Sequence, residues 1–118
     1  MKAANATGVG TVLVDTQSRT LYMLTADKGG KVTCISAACT GAWPPLLLSS
    51  GSPSAGPGAK ASLLSTATTP SGAHQVTYDG WPLYTYSGDR RPGQATGEGI
   101  KNYGGTWYAI SPSGKIIK

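Results

Sequence analysis

A short segment occurs twice in the chain, and this duplication limits the folds that the chain can adopt. The first copy, Leu21–Asp27, reads LYMLTAD, and the second copy, Leu83–Asp89, reads LYTYSGD. Trp43 follows the first copy at nearly the same distance as Trp107 follows the second. These offsets fit a unit of about 60 residues that is used twice. A unit of this size buries little apolar surface alone, so we expect the two units to share one core.

Turn-forming residues divide the chain into short strand-like runs. The 118 residues include 17 glycines and 8 prolines, and no long run has the periodicity of a helix. Asp79–Gly80 is a residue pair typical of type I′ hairpin turns, and Pro82 predicts an edge strand or a bulge after it. We therefore predict an all-β fold, packed as a small sandwich or irregular barrel. The predicted strands are 11–15, 20–25, 63–68, 75–78, 81–86, 106–110 and 115–117, and residues 41–46 are expected to be extended.

The whole chain, 1–118, is predicted to form a single domain made of two repeats. The repeats span about residues 10–48 and 60–117. Residues 49–59 read SSGSPSAGPGA, and this Ser/Pro/Gly-rich composition is typical of a linker because it offers no core-forming residue larger than alanine.

The two cysteines, Cys34 and Cys39, have four residues between them. This spacing differs from the C-x-x-C redox motif, and a structural zinc site would need four ligands. One local disulfide in an exported protein is therefore the preferred interpretation. The alternative is a secreted redox or metal-handling protein, linked to copper or haem, that uses Cys34, Cys39, His74 and Met23.

Ten lysine and arginine residues against five acidic residues give the chain a net charge of +5. Only Arg90 and Arg91 are adjacent, so the basic residues do not form the stripe or patch typical of nucleic-acid binding. A diffuse positive field favours weak attraction to an anionic surface such as a cell-envelope polymer. We expect no nucleic-acid partner and no transmembrane segment, because no apolar run approaches the roughly 18 residues of a membrane span. The first residues also lack the apolar stretch of a secretory signal peptide.

The repeated element resembles the signature of a bacterial family. Tyr84–Asp89 reads YTYSGD and fits the pattern Y-x-(FWY)-x-x-D, whereas Tyr22–Asp27 reads YMLTAD and has leucine at the aromatic position. With the C-x-x-x-x-C loop and the G-x-W-P-P segment at 41–45, the chain resembles the secreted-repeat family of predicted lipoproteins over about residues 10–117. The resemblance implies an extracytoplasmic protein, secreted or held at the cell surface. It implies no chemistry, since the role of the family is unsettled.

Asp27 and Asp89 occupy matching positions in the two copies, and two interpretations are open. Two carboxylates that meet near a twofold axis can act as general acid and base, or can bind calcium. Each aspartate also follows a strand-like run and enters a turn, where its side chain can accept hydrogen bonds from N–H groups one or two residues on. We favour the second interpretation.

The tyrosines and tryptophans must supply the large core side chains, because the chain contains no phenylalanine. We assign Tyr22, Tyr84, Trp43 and Trp107 to the core, with the tyrosine hydroxyls directed outward.

A non-enzymatic role is expected, as a binding or structural module of the bacterial cell envelope. Trp81 and Tyr86 are the aromatic residues expected at the surface, and Arg90 and Arg91 begin the glycine-rich loop that follows. These four residues are predicted to contact an envelope polymer or a protein partner. No catalytic residue, metal or cofactor is expected, since the single histidine, His74, accompanies no G-x-S-x-G motif.

Overall fold

Nine β-strands and one short α-helix are present in the described part of the chain, which comprises residues 1–48 and 55–117 of a computed structural model. Turns of 3-10 helix occupy Thr25–Asp27 and Ala61–Leu63. In chain order the strands and the helix are β1 (Lys2–Ala6), β2 (Gly10–Val14), β3 (Tyr22–Leu24), α1 (Ala37–Ala42), β4 (Leu47–Leu48), β5 (Leu64–Thr68), β6 (His74–Tyr78), β7 (Trp81–Pro82), β8 (Lys101–Asn102) and β9 (Gly105–Ala109).

The strands form three sheets, and neighbouring strands in each sheet are antiparallel. β1 pairs with β2, and β9 lies between β3 and β8. β6 lies between β4 and β5 and also pairs with β7. The arrangement is nearly all-β, and the predicted fold class is therefore confirmed.

The first half of the chain contributes a strand to each of the two sheets of the second half, and the second half bonds back to the first through single backbone contacts. β3 in the first half pairs with β9 in the second, and β4 in the first half pairs with β6 in the second. The Leu13 N–H donates to the Ile110 carbonyl at 3.0 Å. In the same way, the Val76 N–H donates to the Leu46 carbonyl at 2.8 Å. The two repeats are therefore intertwined, and each completes the backbone hydrogen bonding of the other.

Tyr22 and Tyr84, the tyrosines of the two repeated segments, meet where the halves cross. The Tyr22 N–H donates to the Tyr84 carbonyl at 2.8 Å, and the Tyr84 N–H donates to the Tyr22 carbonyl at 3.0 Å. This reciprocal pair is typical of antiparallel residues that lie directly opposite each other. Each tyrosine also pairs with a second residue of the other half, Ala109 for Tyr22 and Pro45 for Tyr84. An approximate twofold axis therefore passes between the two tyrosines.

The strands at this crossing bury side chains on both of their faces, because successive residues of a strand point to opposite faces. Tyr22 and Leu24 enter one apolar cluster, whereas Leu21 and Met23 enter the other. The structure places all four predicted core aromatics in the first cluster, each with 0% exposure: Tyr22, Trp43, Tyr84 and Trp107. The second cluster is built mainly from Leu13, Leu21, Met23, Val76, Tyr78, Leu83 and Ile110.

The predicted turn at Asp79–Gly80 is present and joins β6 to β7. Both residues have the positive φ that a type I′ turn needs, 51° for Asp79 and 83° for Gly80. Pro82 lies in the two-residue β7, where it pairs with Thr77 of β6. The predicted strand over 81–86 is thus regular at its first two residues, and Tyr84 beyond it forms the bridge to the other half.

One predicted extended segment, residues 41–46, is partly wrong because α1 continues to Ala42. Ser36 begins this helix, since its Oγ accepts the backbone N–H of Cys39 at 3.2 Å. A serine in this position satisfies one of the free N–H groups of the first helical turn. The helix has six residues, and its buried Cys39 also ties it to the preceding loop through the disulfide.

The N-terminal strand β1 was not expected from the sequence. It pairs with β2 along its whole length, from Lys2 opposite Val14 to Ala6 opposite Gly10. On its other side, the Ala3 N–H donates to the carbonyl of Pro57 at 2.9 Å. Pro57 belongs to the predicted linker 49–59, of which residues 49–54 lie outside the described residues.

Separated halves of the chain are expected to be unfolded, because the second half loses β3 and β4 from its sheets and the first half loses the backbone partners of those strands. A chain divided between residues 54 and 55 gives two fragments that correspond to the two repeats. Each fragment alone should show no cooperative thermal transition, and an equimolar mixture should regain one. The near-ultraviolet circular dichroism of the packed aromatic rings measures this recovery. A cooperative transition in one isolated fragment would contradict the intertwined arrangement.

Candidate functional site

Two buried hydrogen bonds connect the repeated segments to each other. The Tyr22 hydroxyl donates to Oδ2 of Asp89 at 2.5 Å, and the Tyr84 hydroxyl donates to Oδ2 of Asp27 at 2.7 Å. Each bond joins the tyrosine of one repeat to the aspartate of the other, so we refer to them as the cross-repeat pairs. Asp27 is 0% exposed and Asp89 is 8% exposed. The repeated motif therefore acts between the halves and not within one half.

Each carboxylate receives two further hydrogen bonds from a threonine. Oδ1 of Asp27 accepts the backbone N–H of Thr33 at 3.0 Å and the hydroxyl of Thr33 at 2.5 Å. Oδ1 of Asp89 accepts the backbone N–H and the hydroxyl of Thr96 at 2.8 Å and 2.6 Å. Three donors for each carboxylate offset part of the cost of taking these groups out of water.

The loops that carry the two threonines also reach the tyrosine hydroxyls. The N–H of Gly97 donates to the Tyr22 hydroxyl oxygen at 3.1 Å. Gly97 permits this close approach, because a Cβ there would lie 2.7 Å from a ring carbon of Trp43. In the first half the corresponding residue is Cys34, whose backbone partly lowers the pKa of Tyr84. The predicted disulfide between Cys34 and Cys39 is confirmed, and it ties this loop to α1.

The protonation states in the cross-repeat pairs follow from their burial. Burial raises the pKa of Asp27, although hydrogen bonds from Thr33 and Tyr84 partly lower it. Burial also raises the pKa of Tyr22 and of Tyr84 above the ordinary range, and the hydrogen bond to the neighbouring carboxyl group raises each pKa further. The phenols therefore stay protonated and act as donors, while the carboxyl oxygens accept.

Aromatic rings pack beside the cross-repeat pairs with the same twofold relation. Trp43 and Trp107 stack with their ring centroids 3.9 Å apart and their planes 2° from parallel. Tyr22 packs edge-on against Trp43 at 5.4 Å, and Tyr84 packs edge-on against Trp107 at 5.0 Å. These are favourable ring geometries, and they keep the pairs in an apolar surrounding where hydrogen bonds are stronger than in water.

The structure changes two details of the expected role of the aspartates. The N–H groups bound by the side chains lie six and seven residues on, at Thr33 and Thr96, and not one or two residues on. The tyrosine hydroxyls point inward to the carboxylates and not outward. Within the described chain, Asp27 and Asp89 share no hydrogen-bond partner. The sequence signal for this geometry was the threonine that recurs after each aspartate at nearly equal spacing.

The predicted surface residues lie in two separate places. Tyr86 is half-buried and stacks on Trp43 with the ring centroids 4.2 Å apart. Arg90 and Arg91 are exposed and follow Asp89 on the same loop. Trp81 is half-buried in β7 and packs against the second cluster, whereas Tyr86 packs against the first. The two aromatic residues therefore belong to different core clusters.

The residues of the redox alternative lie in different parts of the structure. Cys34 and Cys39 form the disulfide in the first cluster, and Met23 is buried in the second cluster. His74 is exposed at the start of β6. Across residues 1–48 and 55–117, no three or more histidine, cysteine, aspartate or glutamate side chains are grouped closely enough to hold a metal ion. No observation favours this alternative.

A comparison with protein families agrees with the duplicated geometry. Residues 4–47 and 65–111 each match the family model described as a secreted repeat of unknown function. The chain belongs to this family. Searches of the curated proteins and of the solved structures gave no match for this secreted-repeat chain. Among the described residues, none of the helices has the length and apolar character needed to cross a membrane.

Tyr22→Phe and Tyr84→Phe should each lower the free energy of unfolding of this secreted-repeat protein by about 1.5–3 kcal/mol, the range for a hydrogen bond to a charged group. Each substitution leaves a buried carboxylate with one donor fewer. Urea unfolding followed by circular dichroism measures the change. Tyr103→Phe is the matched control, because Tyr103 is 41% exposed and its hydroxyl should contribute less than about 0.5 kcal/mol. Equal stabilities of the three variants would contradict a structural role for the pairs.

Proposed function

We propose that this chain is a non-enzymatic binding module of the bacterial cell envelope and works outside the cytoplasm. The match to a family described as secreted supports the location. The hydrogen bonding of the cross-repeat pairs supports a structural role for the repeated motif, because both carboxylates and both phenols are engaged within the protein. Binding is therefore assigned to the surface of the molecule and not to the aspartates.

The loop after Asp89 offers the surface best suited to an anionic partner. Arg90 and Arg91 are exposed, and their backbone N–H groups donate to Oε1 of Gln94 at 2.6 Å and 3.2 Å. The hydrogen bonds from Thr96 to Asp89 close the same loop at its base. The backbone that carries both guanidinium groups is thus held in place before a partner binds. This reduces the conformational entropy that is lost on binding.

An anionic envelope polymer is the partner whose chemistry fits this loop. Arginine binds carboxylate and phosphate groups through two parallel hydrogen bonds. The net charge of +5 attracts such a polymer at long range. Tyr86 borders the loop and is half-buried, so part of its ring is available for contact with a sugar. Trp81, which packs on the other cluster, would make a separate contact.

A charge-neutralising double variant tests this assignment. Arg90→Gln/Arg91→Gln should weaken binding to an anionic polysaccharide such as polygalacturonate by about tenfold or more at low salt, measured by isothermal titration calorimetry. Lys28→Gln/Lys31→Gln is the matched control, because both lysines are exposed and lie in the turn that follows Asp27. The control removes the same net charge and should weaken binding by about twofold.

Two outcomes would contradict the proposal. An equal loss in the arginine and the lysine variants would show that the diffuse field, and not the loop, attracts the polymer. A flat titration of the unmodified protein against polygalacturonate and against cell-wall fragments would count against the binding role as a whole.

A further inference from the structure

An open cleft with a volume of about 340 Å³ lies beside the disulfide loop of the first half. Its walls come from Ile35 in that loop, from Pro45 and Leu47 nearby, and from residues 69–71 and 73 between β5 and β6. A volume of this size falls within the range of small-molecule sites.

The mouth of the cleft is apolar and accessible. Ile35 is 58% exposed and Leu47 is 49% exposed, and both line the cleft. Among the described residues, the only other large apolar side chain with comparable exposure is Tyr103, which lies elsewhere. None of the side chains that line the cleft is charged. A neutral ligand is therefore favoured, because an ion would lose its hydration without gaining a charged partner.

Gln75 forms a buried part of the wall and leaves one polar atom unused. The residue is 0% exposed, and it lines the cleft. Its Nε2 donates to the Leu83 carbonyl at 2.8 Å, which fixes the orientation of the amide. Its Oε1 is buried and has no hydrogen-bond partner among the described residues. A buried acceptor of this kind is uncommon and calls for a donor.

A polar contact occupies the corresponding place beside the loop of the second half. The twofold relation puts Glu98 where Ile35 lies and Ala109 where Pro45 lies. Oε1 of Glu98 accepts the Ala109 N–H at 2.6 Å, so the glutamate is held against β9. Proline has no N–H, and isoleucine has no acceptor, so the same contact cannot form in the first half. The lining of the open cleft, to which both repeats contribute, is therefore not reproduced at the place related to it by the twofold axis.

We propose that this cleft binds a small, neutral, mainly apolar molecule whose O–H or N–H group donates to Oε1 of Gln75. The apolar body of the ligand would lie between Ile35, Pro45 and Leu47, and its donor would face the buried wall. The twofold relation puts Val12 of the first half where Gln75 lies in the second half, and valine brings no polar side-chain atom. Phenol and indole belong to this class of ligand. The proposed site does not involve the arginine loop.

Phenol carries a hydroxyl group where toluene carries a methyl group. A comparison of their affinities therefore tests the role of the side-chain carbonyl of Gln75 directly. Titration of phenol into the full ¹⁵N-labelled chain should give saturable shifts of the amide signals of Ile35 and Ala73 and of the Gln75 side chain. Gln75→Met keeps the length of the side chain and removes the acceptor. In this variant the ratio of phenol affinity to toluene affinity should fall by about fivefold or more, as expected for one net hydrogen bond.

Exposed variants keep the proposal testable if Gln75→Met does not fold. Ile35→Ser should weaken the binding of both phenol and toluene by about threefold or more, because it removes apolar contact area at the mouth. Tyr103→Ser, an exposed apolar position outside the cleft, is the matched control and should leave both affinities unchanged.

Three results would overturn the proposal. The first is the absence of saturable shifts at the cleft with phenol and with indole. The second is an unchanged phenol-to-toluene ratio in a folded Gln75→Met variant. The third is a shift of the Ile35 signal that depends on protein concentration without any ligand, which would show that a second copy of the chain covers the cleft.

Discussion

Two buried aspartates set the main requirement of this fold, because each carboxylate needs donors that come partly from the other half of the chain. The local loop supplies a threonine, and the opposite repeat supplies a phenol. A buried charge with too few partners destabilises a protein by several kcal/mol. The backbone bridge between Tyr22 and Tyr84 positions both phenols. One crossing of strands therefore supplies each carboxylate with its donor from the other half. Polar contacts thereby fix how two apolar halves pack.

The two halves obey the twofold relation closely in the interior, and they differ from each other toward the surface. The stacked tryptophans match, yet Nε1 of Trp107 donates to Oδ1 of Asn102 at 2.6 Å, whereas Nε1 of Trp43 has no partner among the described residues. The segment before Trp107 contains β8, and the segment before Trp43 contains α1. Both proposed binding surfaces lie where the repeats differ. A duplicated scaffold thus carries surfaces that have diverged separately.

The sequence predicts the local features of this fold better than its long-range ones. The duplication, the turn at Asp79–Gly80 and the aromatic core follow from spacing and composition, which are properties of short segments. The cross-repeat pairs do not follow, because each aspartate lies only five residues after the tyrosine of its own repeat, and this spacing alone favours a contact within one repeat. β1 was missed because its residues lack the alternation of a half-buried strand, and its pairing depends on β2 and on Pro57. The cleft is lined by residues far apart in the sequence, and no motif records such a grouping.

A pair of double-mutant cycles measures most directly whether the motif acts between the halves. The first cycle combines Tyr22→Phe with Asp89→Asn, and the second combines Tyr22→Phe with Asp27→Asn, the aspartate of the same repeat. Equilibrium unfolding should give a coupling free energy of about 1 kcal/mol or more in the first cycle, and additivity within about 0.5 kcal/mol in the second. Coupling confined to the second cycle, or of equal size in both, would contradict this account.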